Sequence, residues 1–240
     1  MSLELQESVP APEKPNYSVP WKYMDNWIGV TLLVLIDLTI LILTVRSSRA
    51  ALAQSALIVV LELAYLLPVI LIFAWRRVNW KAIGFGRFDP KVLGIGCGLL
   101  VGAYLIIILH NLLLFVLKVD TQGEEIVKVF NELNSPVWFF IVGAVFAPFV
   151  EEIFFRGFLF QGFRERYGWK VGMLLSSAIF GAAHLDLAAL IPTFILGNVL
   201  AYLYHRSNSV WPGIFLHFLV NAFGLFGAYF VTHYQNLIPL

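Results

Sequence analysis

The segment Val92–Val116 reads VLGIGCGLLVGAYLIIILHNLLLFV and contains no charged residue. As an α-helix it is long enough to cross the hydrocarbon core of a bilayer, which is about 30 Å thick. A strand of a transmembrane barrel would alternate apolar and polar residues over about ten positions, and this segment shows no such alternation. The segment therefore predicts a transmembrane helix.

Six further apolar runs predict six more transmembrane helices. They lie at about 27–45, 52–75, 136–161, 169–185, 187–204 and 210–231. An eighth helix would result if one of the longer runs were broken. The composition agrees, because only 13% of the 240 residues are charged, against about 25% in a soluble domain. The predicted fold class is all-α, a polytopic transmembrane helical bundle of seven or eight helices.

The chain is predicted to have one membrane domain. Residues 1–26 are polar and rich in proline, and they lack the basic start and apolar core of a signal peptide. We expect them to form a mobile cytoplasmic tail. Residues 27–240 contain no long connection of the length or composition of a separate domain, so they are expected to form a single unit.

The lysines and arginines predict the orientation in the cell membrane, because these residues accumulate on the cytoplasmic side. With seven spans, eleven of them fall on the side of the amino terminus and four on the opposite side. The amino terminus is therefore predicted to be cytoplasmic, in a multi-pass protein of the cell membrane. The formal net charge of +1 gives no basic patch for nucleic acid, so the bilayer is the expected environment and nucleic acid is not an expected partner.

The segment Glu151-Glu152-Ile153-Phe154-Phe155-Arg156 places three charges inside an apolar run. Ionisable residues are costly in a membrane and indicate a functional site by default. Glu152 and Arg156 are four apart and can pair on one helix face, whereas Glu151 is turned by about 100° and faces elsewhere. A free carboxylate of this kind suits a general base. A purely structural ion network is the alternative.

Two later groups carry polar residues that can meet this motif. His217 and Asn221 share one face of the last helix and can both donate hydrogen bonds to one oxygen, as an oxyanion hole requires. Taken alone, the pair is better explained as a polar bridge between helices. His184 closes an apolar helix behind Phe180 and either assists Glu151 or marks the helix end. We expect these groups to share one cavity that opens to the cytoplasm.

The three motifs together resemble those of the CPBP family, the intramembrane proteases related to the type II CAAX prenyl endopeptidase and to bacteriocin-processing or abortive-infection membrane proteins. They are Glu151-Glu152-x-x-x-Arg156, Phe180-x-x-x-His184 and His217-x-x-x-Asn221, in this order on successive apolar helices within residues 151–221. The resemblance implies cleavage of a peptide bond in a membrane-embedded or lipidated, for example prenylated, substrate.

The resemblance also implies a role for each motif residue. Glu151 would activate water with help from His184, and His217 and Asn221 would stabilise the oxyanion. Glu152 and Arg156 would hold these groups in place. Zn²⁺ is the open question about cofactors: Glu151, His184 and His217 are the candidate ligands, but the helical HExxH spacing is absent. We therefore prefer a mechanism without a cofactor.

Two other classes of function stay open. Asp37 and Glu62 lie inside early spans and could belong to a proton-coupled transporter, although an interhelical hydrogen bond to a protonated acid explains each of them as well. A scaffold or immunity protein that keeps the fold without catalysis is the other alternative, since a fold does not determine function. Asn198 is a further candidate neighbour of the site.

Overall fold

The computed structural model describes residues 17–46, 52–132 and 136–234, and these residues form eight helices. The helices are α1 (Tyr23–Arg46), α2 (Leu52–Arg76), α3 (Lys91–Leu117), α4 (Gln122–Glu132), α5 (Pro136–Tyr167), α6 (Trp169–Ala183), α7 (Leu187–Ser207) and α8 (Trp211–Tyr234). Among the described residues there is no strand. The predicted fold class, an all-α membrane bundle, is confirmed.

Helices α3, α5, α7 and α8 are each long and apolar enough to cross a membrane, and α6 is a shorter apolar helix. All seven predicted runs form helices. The eighth helix does not come from a broken run. It is α4, which lies in the predicted connection between α3 and α5.

Helix α4 forms because a polar segment carries apolar residues at helical spacing. Ile126, Val127 and Phe130 pack against α5 and α8. At its start, the side chain of Glu124 accepts a hydrogen bond from the backbone N–H of Thr121, and the hydroxyl of Thr121 accepts one from the backbone N–H of Glu124. This reciprocal pair is a capping box, which satisfies backbone donors that the first turn leaves free.

Helix α5 is continuous but alternates α-helical and π-helical turns. The π-helical segments are Ile141–Phe146 and Ile153–Phe160. Before Pro148, the N–H of Ala147 donates to the carbonyl of Val142, five residues back. The proline therefore produces a wide turn and no break, as is tolerated in membrane helices. The second π segment directly follows Glu151 and Glu152, so both glutamates lie on the short α-helical turn between two π segments.

The largest core cluster surrounds the carboxyl-terminal half of α5. Phe154, Phe155, Phe158, Phe160 and Phe163 are all completely buried. The cluster lies at the end of the bundle that holds Arg76, Arg164 and Arg206, which we call the cationic end. At this end α5 contacts α1, α2 and the connection between α2 and α3.

The amino-terminal boundary differs from the prediction. Residues 1–16 of the expected tail lie outside the described residues, but residues 21–26 belong to the folded unit. Trp21 is buried against Phe73 and Phe158. Asp25 forms an ion pair with Arg76 at 2.8 Å, and Asn26 donates to the carbonyl of Leu159 at 2.7 Å. This short segment can pack because its buried polar side chains, Asp25 and Asn26, both have hydrogen-bond partners.

A second cluster closes the cationic end between α3, α7 and α8. Leu200, Leu203 and Leu216 are completely buried there, and Val92 packs against them. The connection between α2 and α3 covers the same end through a 3₁₀ turn, Trp80–Ile83. The hydroxyl of Tyr204 donates to the carbonyl of Ile83 at 2.9 Å, which fixes this turn to α7.

Candidate active site

Glu152 and Arg156 form the buried ion pair that their spacing predicts. Nη1 of Arg156 lies 2.6 Å from Oε1 of Glu152, and both side chains are excluded from solvent. Nη2 donates to the carbonyl of Gly197 on α7 at 3.3 Å. The guanidinium also lies 4.4 Å from the centre of the Phe180 ring. The arginine thus joins α5, α6 and α7 at one point.

His217 lies between the two glutamates. Its Nδ1 is 3.2 Å from Oε1 of Glu152, and its Nε2 is 3.5 Å from Oε2 of Glu151. Ionised carboxylates only accept hydrogen bonds, and a neutral imidazole has one donor. The imidazole can therefore satisfy both glutamates only if it carries two protons or if one of the glutamates carries one. The three side chains are therefore close enough to exchange protons.

His184 reaches the site from the end of α6. It directly follows the last residue of that helix, and its Nδ1 lies 2.9 Å from the carbonyl of Phe180. Its ring meets the ring of Phe180 edge to face, with centres 4.9 Å apart, and the His217 ring meets the same phenylalanine at 5.7 Å. Phe180 therefore separates and orients the two histidines. His184 both ends its helix and faces the site, so the two interpretations of the sequence are compatible.

Asn221 lies one turn beyond His217 on α8. Its Nδ2 donates to the carbonyl of Gly143 at 2.9 Å. Gly143 belongs to the first π segment of α5, so the carboxamide supports the backbone where the helix is widened. A carboxamide has a second N–H, which this bond leaves free to donate elsewhere.

One cavity of about 450 Å³ brings the candidate residues together. Glu151, His184, His217 and Asn221 line it, together with Phe180. Glu152 and Arg156 are not among its lining residues and lie behind Glu151 and His217. The four side chains that the sequence singled out for chemistry thus share one hollow, and the ion pair supports it from the protein side.

The cavity does not extend in the direction that the sequence suggested. Its lining follows α3 from Leu100 to Asn111 and includes Gln122 of α4. It thus extends away from the cationic end, which the orientation prediction places in the cytoplasm. A cytoplasmic cationic end and a cavity that opens to the cytoplasm are therefore not both met, because hydropathy gives helix lengths and not where helices separate. The buried phenylalanines of α5 fill the space between Glu151 and the cationic end.

Glu62 is a cavity residue that the sequence did not single out as part of the site. It lies on α2 and lines the same cavity as Glu151. Its Oε2 is shielded from solvent and has no hydrogen-bond partner among the described residues. In the sequence, Glu62 is recognisable as an acidic residue inside an apolar run, but no motif surrounds it. Asn198, by contrast, is not among the cavity-lining residues and donates to the carbonyl of Phe194 on its own helix.

The residues proposed to hold Zn²⁺ do not form a metal site. Within the described part of the chain, no group of three or more His, Cys, Asp or Glu side chains is placed to hold a metal ion. The geometry therefore does not fit a zinc ion held by Glu151, His184 and His217.

Comparison with known proteins identifies the same region as the motifs do. Residues 133–223 match the family model of the type II CAAX prenyl endopeptidase Rce1-like proteins. The chain is 28% identical over 174 residues to a Bacillus subtilis (strain 168) protein named "Putative membrane peptidase YdiL", covering 71% of this chain and 70% of that protein. No solved structure is significantly similar to the chain.

Two other relatives have names that state no activity. One is an Escherichia coli protein named "Uncharacterized 24.3 kDa protein", 28% identical over 170 residues, or 68% of this chain and 76% of that protein. The other is UPF0177 protein YxdF of Lactococcus lactis subsp. lactis (strain IL1403), 25% identical over 180 residues, or 72% and 97%. The family match confirms the resemblance that the three motifs carry. It supports, in general terms, a membrane peptidase of the Rce1-like type.

Proposed function

We propose that this Rce1-like chain is an intramembrane endopeptidase that uses Glu151 as its general base. The observation that supports this most strongly is the shared cavity, because residues from α5, α6 and α8 meet there although up to 70 positions separate them in sequence. A general base, a second proton-handling group and two hydrogen-bond donors are what hydrolysis of an amide requires.

The proposed reaction begins with a water molecule held between Glu151 and His184. The water oxygen bonds to the scissile carbonyl carbon while its proton passes to Glu151. His217 and the free N–H of Asn221 stabilise the negative charge that develops on the carbonyl oxygen. The carbon–nitrogen bond then breaks, and the proton moves from Glu151 to the leaving amine. Arg156 and Glu152 keep His217 in place throughout.

The proposed substrate is a membrane-embedded or lipidated polypeptide. Apolar side chains such as Leu100, Ile107 and Leu225 form much of the cavity wall, which suits a hydrophobic segment or a lipid tail. A prenylated carboxyl-terminal segment of the CAAX type is one member of this class. The apolar lining does not distinguish a prenyl chain from an apolar peptide, so both belong in the assay.

We propose that the reaction proceeds without a metal. The support is geometric, since Glu151, His184 and His217 do not converge on a common point as zinc ligands do. Activity that survives exhaustive chelation, in protein that contains no zinc, is the expected result. Loss of activity on chelation and its return with Zn²⁺ would contradict this part of the proposal.

The function is tested with purified protein in liposomes and Glu151→Gln as the variant. Membrane-associated and prenylated peptides serve as substrates, and cleavage is followed by mass spectrometry. We expect Glu151→Gln to lose cleavage while it keeps its fold and insertion, because the amide cannot accept the proton. Glu165→Gln, an exposed glutamate on the same helix, is the matched control. Unchanged cleavage by Glu151→Gln would refute the assignment.

The same experiment separates the alternatives. Movement of ions or solutes without cleavage would indicate a transporter. Stable binding of a partner without cleavage or flux would indicate a scaffold or immunity protein.

A further inference from the structure

The cationic end of the bundle is too closely packed to admit a polypeptide to the cavity. Helix α3 approaches α7 and α8 at Gly96, where a Cβ atom would lie 2.5 Å from Leu216 and 3.0 Å from Leu203. Both leucines are completely buried. Well-packed interiors contain few voids larger than a water molecule. This cluster therefore separates the cavity from the cationic end.

A second barrier lies along α5 itself. Phe154, Phe155 and Phe158 follow Glu151 toward the cationic end, and each is completely buried. Tyr65 of α2 packs against the first two, with ring centres 5.8 and 5.5 Å apart. Opening a path here would require several aromatic contacts to break together.

At the other end the helices leave room. The cavity lining on α3 runs from Leu100 to Asn111, which corresponds to about 16 Å at about 1.5 Å per residue. It then includes Gln122 and the exposed Gly123 of α4 and the exposed Gly224 of α8. The cavity therefore leads from Glu151 toward α4.

The polar groups near that end suit an extended peptide. Asn111 and Gln122 are half-buried carboxamides in the cavity wall, and each can donate and accept hydrogen bonds. A peptide segment has unpaired backbone N–H and C=O groups that must be satisfied when it leaves water or its own helix. The two carboxamides can bond to such groups on the way to Glu151.

The charges determine which face of the membrane this is. With seven spans, eleven lysines and arginines fall on the membrane side that holds Arg76, Arg164 and Arg206. Four fall on the opposite side. In membrane proteins, lysine and arginine accumulate in the loops on the cytoplasmic side. The α4 end therefore faces away from the cytoplasm.

We propose that the substrate segment reaches Glu151 from the α4 end, and that the substrate is the extracytoplasmic part of a membrane-inserted or lipidated polypeptide. The identification of the occupant as a substrate rests on the proposed protease function. The direction of access rests only on the packing, the cavity and the charges.

Cysteine labelling of the full chain tests the direction of access. Cys97 is the only cysteine, so Cys97→Ser gives a background for single cysteines. Thr193→Cys places a thiol in the cavity wall, and Arg87→Cys places one at the exposed cationic end. A small membrane-impermeant maleimide is applied to spheroplasts and, separately, to inside-out vesicles. We expect Thr193→Cys to react in spheroplasts and Arg87→Cys to react only in inside-out vesicles.

Ala201→Cys is the matched control, because Ala201 lies on α7 like Thr193 but is completely buried in the core cluster. It should react only after denaturation, which shows that the bundle is folded. Reaction of Thr193→Cys only in inside-out vesicles would overturn the proposal. So would its failure to react from either side, or reaction of Arg87→Cys in spheroplasts. Labelling requires no proteolysis, so repeating it with Glu151→Gln separates this inference from the proposed function.

Discussion

The two adjacent glutamates have different surroundings, although the sequence presents them as equivalents. Oε1 of Glu152 accepts a hydrogen bond from Nη1 of Arg156 and faces His217, and the side chain is excluded from solvent. Among the described residues, Glu151 has only the longer approach to His217, and it faces the cavity. The first is placed to stabilise the bundle and the second to act on a ligand.

This difference predicts that the same substitution lowers stability much more at Glu152 than at Glu151. We expect Glu152→Gln to lower the free energy of unfolding by about 3–5 kcal/mol, because it leaves the buried charge of Arg156 uncompensated. Glu151→Gln should have a much smaller effect. Thermal unfolding of both variants in detergent measures the difference. Equal losses of stability would show that the two carboxylates are equivalent after all.

Glu152 lies so close to Gly213 on α8 that residue 213 has no room for a side chain. A Cβ at this residue would lie 2.5 Å from Oε2 of Glu152. Gly213→Ala should displace the carboxylate from Arg156 and His217 and destabilise the protein by about 1–3 kcal/mol, as overpacking does. The expected decrease in stability is measured by thermal unfolding in the same detergent.

Gly227→Ala controls for the general effect of alanine in this helix. Gly227 lies on α8, and within the part of the chain that the structure describes, a Cβ added there would have no other side chain or neighbouring helix within 4 Å. Replacing a helical glycine by alanine is worth about 0.5–1 kcal/mol in favour of the helix. Gly227→Ala should therefore keep or raise the stability. A Gly213→Ala protein as stable as this control would contradict the crowding at Glu152.

At the scale of the elements, the connection between α2 and α3 depends on one hydroxyl group of α7. Tyr204 is buried and donates to the carbonyl of Ile83. Of the described donors, Tyr204→Phe leaves that carbonyl with only a 3.5 Å approach from Gln161, at a cost of about 1–3 kcal/mol. We expect faster hydrogen exchange in residues 77–90. Tyr202→Phe, which keeps its ring contact with Trp169, should leave exchange in this segment unchanged.

Hydropathy predicted which elements form, and it could not predict how they separate. The seven apolar runs became helices because a helix satisfies its own backbone hydrogen bonds in lipid. Helix α4 was missed because its few apolar residues are periodic and not continuous. The spacing of Glu152 and Arg156 predicted their pair, since both lie on one helix. The contact between Glu152 and His217 joins residues 65 positions apart and depends on tertiary packing.

At the scale of the whole molecule, the folded unit begins before the first apolar run. Trp21, Asp25 and Asn26 connect the start of the described chain to α2 and α5 at the cationic end. These contacts lie on the side of the bundle away from the cavity. They therefore help to hold closed the end that is too closely packed for a substrate to pass.

Replacing Trp21 tests this boundary. Trp21 packs against Phe73 and Phe158, and its Nε1 donates to Asn26 at 3.0 Å. Trp21→Ala should lower the free energy of unfolding by about 3–5 kcal/mol, as large-to-small changes in a core do. Met24→Ala removes an apolar side chain that is half exposed in the same segment, and it should have little effect on thermal unfolding in detergent. If the two variants unfold at the same temperature, residues 21–26 behave as the tail that the sequence suggested, and the folded unit begins at the first apolar run.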